Sequence, residues 1–302
     1  MIQLKLIVPA LIIVRFLMWF NLLGYFSLPF EPIMTVIGLP KEMALVWVSA
    51  MLTNNYTALI VYLNVLPLAG PMTVCQATVL GTIILIAHNL PVESGVCRGA
   101  GVSPLRVTII RILSAILFGF LAFRLCALLD LGQGEAQLLV AFTADPVPPW
   151  GVWLLGSVKS MLAIFIIVWV LLLMMAGMRK VGLIKLITLA LSPIMRLSGV
   201  GPKATMITVF GMILGLGYGG GLIIAESRTG NVPKEDIYGS IILMAICHSL
   251  LEDTAILASI GGSLWGLLVG RLIFAVALAG LIIRLAKRPS AKPILIGRKY
   301  YA

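Results

Sequence analysis

The chain has 302 residues, of which 61% are hydrophobic and only 11% are charged, and its mean hydropathy is +1.11. Because ordinary soluble domains contain about a quarter charged residues, this composition excludes a soluble protein and predicts an all-α integral membrane protein whose surroundings are the lipid bilayer. The net charge of +11 does not indicate a nucleic-acid partner, since the lysines and arginines lie in short tracts between apolar runs, where they act as topology signals.

Ten apolar segments, A to E in each half, are predicted to be transmembrane helices. In the first half they lie at 4–23, 25–39, 42–65, 72–98 and 105–127. In the second half they lie at 152–178, 181–198, 203–225, 236–260 and 264–286. Segment B is short and contains proline in both halves. The predicted domains are a first five-helix repeat at 1–127, an acidic extracytoplasmic linker at 128–150, a second five-helix repeat at 151–286 and a basic cytoplasmic tail at 287–302.

The two halves are related by an internal duplication. Three pairs of polar residues correspond at one constant offset of 160 residues: His88 and His248, Glu93 and Asp253, and Arg111 and Arg271. Self-similarity at a fixed offset is the signature of a repeated structural unit. We therefore expect each half to have the same fold.

The placement of lysine and arginine predicts the orientation in the membrane. With the N-terminus in the cytoplasm and five crossings per half, the basic residues at the inner connections are Lys41, Arg98, Arg106, Arg179, Lys180, Lys185, Arg228 and Lys234, and the basic tail is also inside. Only Arg196 and Lys203 fall on the wrong side. Because five is odd, the two repeats insert in opposite directions, as in many secondary transporters with a binding site at the repeat interface. We expect a prokaryotic inner-membrane protein with both termini in the cytoplasm.

Segment D carries a polar island in each half, and these islands are the predicted binding site. Pro91 removes a backbone donor, so the first island is predicted to break its helix near the midplane. The second island has no proline, but its similar pattern predicts a break there too. The candidate residues for binding a substrate or coupling ion are His88, Asn89, Glu93, His248, Ser249, Glu252 and Asp253.

Buried acids in a membrane are costly unless they are paired. Glu93 and Arg111 lie equally far from the turn between segments D and E, as do Asp253 and Arg271. We therefore expect two structural ion pairs, Glu93–Arg111 and Asp253–Arg271, with proton or substrate exchange at the acids as the alternative. The two histidines, expected to meet across the symmetry axis, suit proton coupling or, together with Glu252, a divalent metal.

Segment C supplies further polar candidates. "TNNY" places Asn54, Asn55 and Tyr56 in an apolar run, and the glycine-rich "GLGYGGG" places Tyr218 at the matching position. These side chains are predicted hydrogen-bonding partners of a polar solute. The glycines either permit close backbone approach to a ligand or serve tight helix packing.

The stretch "SPIMRLSGVGPKATMITVFGMILGLGYGGGLIIAESRTGNVPKEDIYGSIILM" resembles the Gate, or nucleoside-recognition, membrane domain. The similarity covers residues 180–262 well and 20–102 more weakly, which implies two Gate-like halves fused in one chain, as in uncharacterised prokaryotic members. The sodium and nucleoside ligands of the family's nucleoside transporters have no matching motif here. The GTPase domain that accompanies its iron transporters is absent from this sequence.

These observations predict a secondary-active transporter, not an enzyme, for a small polar solute such as a nucleoside-like compound or an organic anion. No ATP-binding motif is present, so coupling to H+ or Na+ is expected, with no cofactor and with a homo-oligomer as an open possibility. Three alternatives remain: a divalent-metal transporter using His88 and His248, a protein for anionic-lipid translocation or envelope assembly, and a non-transporting membrane scaffold.

Overall fold

The computed structural model describes residues 28–139 and 149–286, together with a few isolated positions before residue 28. Most of the predicted segment at 4–23, residues 140–148 of the acidic linker and the whole basic tail lie outside the described residues. Where the chain is described, its regular structure is helical apart from an isolated bridge between Thr73 and Glu135.

Thirteen α-helices follow in the described ranges. They are α1 (Glu31–Val36), α2 (Met43–Leu52), α3 (Asn55–Ala69), α4 (Val74–Ile86), α5 (Leu90–Gly99), α6 (Pro104–Leu129), α7 (Trp150–Lys180), α8 (Leu183–Leu197), α9 (Pro202–Leu214), α10 (Leu216–Thr229), α11 (Lys234–Ile246), α12 (Glu252–Ala258) and α13 (Arg271–Ala286). A 3-10 turn at Leu28–Phe30 precedes α1, and a π-helical turn at Trp265–Gly270 precedes α13.

Three helical stretches of the described residues are long and apolar enough to cross a bilayer: Val74–Gly99, Pro104–Leu129 and Trp265–Ala286. The most telling surface is one face of α6, where exposed apolar residues recur at every fourth position: Leu105, Ile109, Leu113, Leu117, Leu121 and Leu125. A continuous exposed apolar stripe of this length is typical of a helix that contacts lipid. The predicted helical membrane protein is therefore confirmed.

The described chain forms two compact units, and neither coincides with a sequence repeat. Unit 1 comprises the described part of Met1–Asn89 with Ala115–Leu171 and Thr254–Leu267. Unit 2 comprises Leu90–Ser114, Leu172–Asp253 and the described part of Leu268–Ala302. Unit 1 is thus built mainly from the first half of the sequence and contains residues 151–171 and 254–267 of the second, whereas unit 2 is built mainly from the second half and contains residues 90–114 of the first.

The sequence analysis predicts segment C of the second half as one continuous helix, but in the structure it is two helices, α9 and α10, that fold back on each other. In unit 2, Gly211 of α9 and Gly219 of α10 are in backbone contact although they are eight residues apart. Eight residues of continuous helix would separate them by about 12 Å. At the open end, the Lys203 ammonium donates to the carbonyl of Asn231 at 3.3 Å, so the start of α9 lies beside the end of α10. The helices α9 and α10 therefore form a helical hairpin with its tip at Gly215.

Unit 1 contains the corresponding hairpin. Helices α2 and α3 pack side by side, and the chain turns between them at Thr53 and Asn54. The Asn54 side chain caps α3 by accepting from the amide of Thr57 at 2.9 Å, which stabilises the new helix start. At the tip of the second hairpin, glycine allows the chain to reverse. Gly215 has a φ of +92°, which other residues rarely adopt.

The connections that lack lysine and arginine lie together in unit 1. The amides of Val74 and Cys75 donate to the carbonyls of Gly134 and Gly132, and the amide of Leu139 donates to the carbonyl of Ser259. These bonds join the turns near residues 72, 132 and 260. In the same unit, the Gln76 side chain donates to the carbonyl of Gly38, so the turn after α1 lies beside the start of α4.

Close glycine packing in the second hairpin gives a matched pair of substitutions. A Cβ at Gly219 would overlap the backbone of Gly211, whereas a Cβ at Gly221 on the same helix meets nothing within 4 Å. We expect Gly219→Ala to lower the unfolding free energy by about 1–3 kcal/mol through overpacking. Gly221→Ala should be neutral or stabilising by about 0.5–1 kcal/mol. Thermal unfolding of the two variants in detergent measures both, and equal stabilities would contradict the hairpin.

The hairpin also predicts which membrane face its ends share. In a background without native cysteines, single cysteines at Lys203 and Asn231 should react with a membrane-impermeant maleimide from the same side, the cytoplasm. A third cysteine, at the exposed Gln137, should react only from the other side. If positions 203 and 231 are labelled from opposite faces of the membrane, segment C crosses it once and the hairpin is wrong.

Candidate functional site

Segment D is interrupted in both repeats, at equivalent positions. The helix α4 ends at Ile86 and α5 begins at Leu90, while α11 ends at Ile246 and α12 begins at Glu252. Between them, Asn89 (φ 50°) and Ser249 (φ 46°) adopt the left-handed conformation, which non-glycine residues rarely do, and these two residues are 160 positions apart. Because the break occurs at equivalent positions of both repeats, it is a property of the repeat unit.

Proline is not the cause of this break. Pro91 lies in the first turn of α5, where its missing amide proton is not needed by the helix. The second repeat breaks in the same way without a proline. The sequence analysis thus predicts the right location but attributes it to the wrong residue.

Both histidines lie directly after the broken helix, and each binds back to it. The Nδ1 of His88 lies 3.0 Å from the carbonyl of Ile84, and the Nδ1 of His248 lies 2.8 Å from the carbonyl of Met244. Because a carbonyl can only accept, both Nδ1 atoms must carry the proton. The Nε2 atom of each ring therefore takes part in any further proton exchange.

A charged cluster lies in unit 2 at the break of its own segment D. Arg111 on α6 donates to the Oε2 of Glu93 on α5, and Nε2 of His248 lies 3.2 Å from Oε1 of the same carboxyl group. All three side chains are buried, with 2–7% of each side chain exposed. Glu93 thus uses one oxygen for a permanent cation and the other for a titratable ring.

The cluster is fixed in place by several packing contacts within unit 2. Ser94 and Thr108 share a hydrogen bond of 3.2 Å, which ties α5 to α6 next to the Glu93–Arg111 pair. Val96 on α5 fills the space above Gly220 of the helical hairpin, and Gly99 lies against Ile224. Small residues at these points allow α5 and α10 to approach closely, as in other membrane helix pairs.

The hairpin tip and the break of segment D meet in unit 2. The amide of Leu250 donates to the carbonyl of Met212 at 2.9 Å, and a Cβ on Gly215 would lie 2.7 Å from the Oγ of Ser249. Unit 1 repeats the arrangement, since the amide of Asn89 donates to the carbonyl of Ala50 at 2.9 Å. Sequence reasoning misses these contacts because they are made by backbone atoms, which carry no residue-specific signal.

The remaining predicted residues have different surroundings. Asn54 is a helix cap in unit 1, and its neighbour Asn55 is buried with an Oδ1 that has no hydrogen-bond partner among the described residues. Tyr56 is buried in the same hairpin. Tyr218 lies on α10, and its side chain is outside the described residues.

Asp253 and Arg271 are both buried in unit 2, and Glu252 is half-buried at the start of α12. A carboxylate oxygen of Asp253 and a ring nitrogen of His248 lie within 4.8 Å of each other. The Asp253–Arg271 pair and the metal site at His88, His248 and Glu252 stay predictions. A metal ion on His248 would have to displace either Met244 or Glu93, because both ring nitrogens are engaged.

Long lipid-facing helices around buried, charged helix breaks define a helical integral membrane protein. No family model matches the chain, and no solved structure matches it. The chain is 26% identical over 300 residues to the uncharacterized membrane protein YvoD of Bacillus subtilis (strain 168), an alignment that covers 98% of this chain and 93% of YvoD. This relative agrees with the membrane class and adds no activity.

The imidazole geometry can be tested directly, because the chain has only two histidines. Histidine-selective 15N labelling in nanodiscs should give two imidazoles that, when neutral, carry the proton on Nδ1, the less common tautomer. His88→Gln and His248→Gln each remove one signal and so assign them. Neutral rings protonated at Nε2 would contradict the hydrogen bonds to Ile84 and Met244.

Proposed function

We propose that the protein is a secondary-active transporter of a small polar solute, coupled to protons or another cation. The observation that carries this proposal is the meeting of two helix interruptions in unit 2, at Gly215 and Ser249, beside the buried Glu93–His248 pair. Interrupted helices at membrane depth are tolerated where they face protein or a solute cavity. Buried ionisable groups beside such interruptions are typical of ion and substrate pathways.

The proposed topology has three crossings and one re-entrant hairpin in each repeat, in place of five crossings. Helix α8 has 15 residues, about 22 Å, which is too short for the roughly 30 Å hydrocarbon core. Its last carbonyl, of Leu197, accepts from Arg284 near the end of α13. We therefore assign α8 to the inner surface. The crossings are then the first predicted segment, the two D segments, α6, α7 and α13.

This topology improves the agreement with the charge pattern. Arg196 and Lys203, which a ten-helix arrangement places outside, move to the cytoplasmic face. Lys41 moves to the outer face. This topology therefore places one basic residue on the wrong side, whereas the ten-helix arrangement places two there. Three crossings per repeat is again an odd number, and the repeats therefore still insert in opposite directions, with both termini in the cytoplasm. An inverted repeat provides the two equivalent states that alternating access requires.

The proposed solute remains a nucleoside-like compound or an organic anion, as the sequence resemblance to Gate-like domains implies. The polar groups at the interruptions supply hydrogen-bonding partners for such a solute. A thermal-shift screen over nucleosides, organic anions, divalent metals and lipids, at two pH values, is the first experiment. Stabilisation by metals alone or by lipids alone would move the assignment to the corresponding alternative function.

Transport is tested with the stabilising solute in liposomes. We expect wild-type protein to take it up under a proton or sodium gradient and His248→Gln to lose uptake while retaining its elution volume and unfolding temperature. Glu135→Gln, a charge-removing change at an exposed residue outside the site, is the matched control and should transport normally. If the wild-type protein binds the solute but shows no uptake, the transport proposal is wrong and a binding or scaffold role is favoured.

A further inference from the structure

We propose that Cys75 and Cys126 form a disulfide bond that joins the start of α4 to the end of α6 in unit 1. The two residues are 51 positions apart in the sequence, and their spacing does not mark them as a pair. The proposal goes beyond the proposed function, because it concerns a covalent modification of the scaffold and holds whether or not the protein transports a solute.

The side chains of the two cysteines meet in the fold. Both are free thiols, and the thiol of Cys75 lies within hydrogen-bonding distance of the thiol of Cys126. A disulfide forms without backbone movement only where the two Cβ atoms are about 3.5–4.5 Å apart, so the thiols must already be neighbours. Cys75 and Cys126 meet this requirement of proximity.

The linker that follows α6 holds the two cysteines together. The amide of Leu131 donates to the carbonyl of Cys126 at 2.9 Å, and the amide of Cys75 donates to the carbonyl of Gly132 at 2.8 Å. Two consecutive residues of the linker therefore bind both cysteines through the backbone. Glycine is needed at position 132, because its φ is +66° and a Cβ there would lie 2.9 Å from the amide nitrogen of Cys75.

The pair lies at the polar end of α6. This helix has 26 residues, about 39 Å, which exceeds the roughly 30 Å hydrocarbon core. Cys126 is half-exposed in the last turn, between the exposed charged residues Arg124 and Asp130. The sequence predicts that the linker at 128–150 is extracytoplasmic, and disulfides form and persist on that side of a bacterial membrane. A soluble oxidant can therefore reach Cys126.

The bond forms by thiol–disulfide exchange with the oxidised form of an extracytoplasmic dithiol oxidoreductase. The thiolate of Cys126, the more exposed of the two, attacks one sulfur of the oxidant's disulfide and releases the other sulfur as a thiolate. The thiolate of Cys75 then attacks the sulfur of Cys126 and releases the second sulfur of the oxidant. Each cysteine loses one proton, and the two electrons leave with the oxidant as its dithiol.

The first test identifies the bond in the full-length protein from bacterial cells. The cells are treated with N-ethylmaleimide, and the protein is denatured with more of the reagent, digested and analysed by mass spectrometry without reductant. We expect one linked peptide pair that contains Cys75 and Cys126, and maleimide adducts on Cys97 and Cys247. Cys97→Ser is the matched control and should keep the link, which Cys126→Ser should lose.

The wild-type protein alone decides this test, so it does not depend on how well a variant folds. Maleimide adducts on both Cys75 and Cys126 in the wild type would overturn the proposal. A link from either residue to Cys97 or Cys247 would overturn it as well. A protein that carries the bond but moves no solute in liposomes would overturn the proposed function and leave this proposal intact.

The second test measures what the bond does to stability. A disulfide restricts the unfolded chain, and this one closes a loop of about 50 residues. We expect reduction with a phosphine to lower the unfolding temperature of the wild type and of Cys97→Ser by several degrees. The unfolding temperature of Cys126→Ser should not change on reduction. If reduction leaves the wild type equally stable, the structural role of the bond is wrong.

Discussion

The structure depends on one constraint, which is that every backbone amide and carbonyl at membrane depth needs a partner within the protein. A continuous helix meets this constraint by bonding within itself, but the described residues contain four places, two in segment C and two in segment D, where a helix is interrupted. The protein resolves the problem by pairing interruptions with each other. The break of segment D donates an amide to the tip of the helical hairpin in each unit, from Asn89 to Ala50 and from Leu250 to Met212. In unit 2 this pairing places Ser249, the residue after His248, against the hairpin tip at Gly215.

The same reasoning explains which part of the fold the sequence could predict. Hydropathy, the constant offset between His88 and His248, and the basic connections indicate a duplicated helical membrane protein, and the breaks in segment D are anticipated from their polar residues. The hairpins cannot be anticipated in this way, because two apolar helices of 10 to 15 residues have the same composition as one long transmembrane helix. The glycines near Tyr218 carry the missing signal. They permit the fold-back at Gly215 and the contact between Gly211 and Gly219, but the same pattern is also typical of tightly packed straight helices.

The candidate site shows the same division. The equal depth of Glu93 and Arg111 follows from counting residues on either side of a turn, and the two side chains are in contact in unit 2. The contact between Glu93 and His248 does not follow from any count, because the two residues belong to different sequence repeats and are brought together by the tertiary fold. The position of the proton on Nδ1 of His248 cannot be predicted from the sequence either, because it depends on the backbone carbonyl of Met244.

Because these groups are buried, a change in their charge is costly. The charge of an exposed histidine beside a glutamate is screened by water and salt over about 8–10 Å. In unit 2 the ring is almost fully buried, one carboxyl oxygen is already committed to Arg111, and the neighbouring acids and arginines balance. A proton that enters this site changes the net charge of a region that water cannot easily relax. The free energy of such a change is larger here than at the protein surface, where water screens the charge.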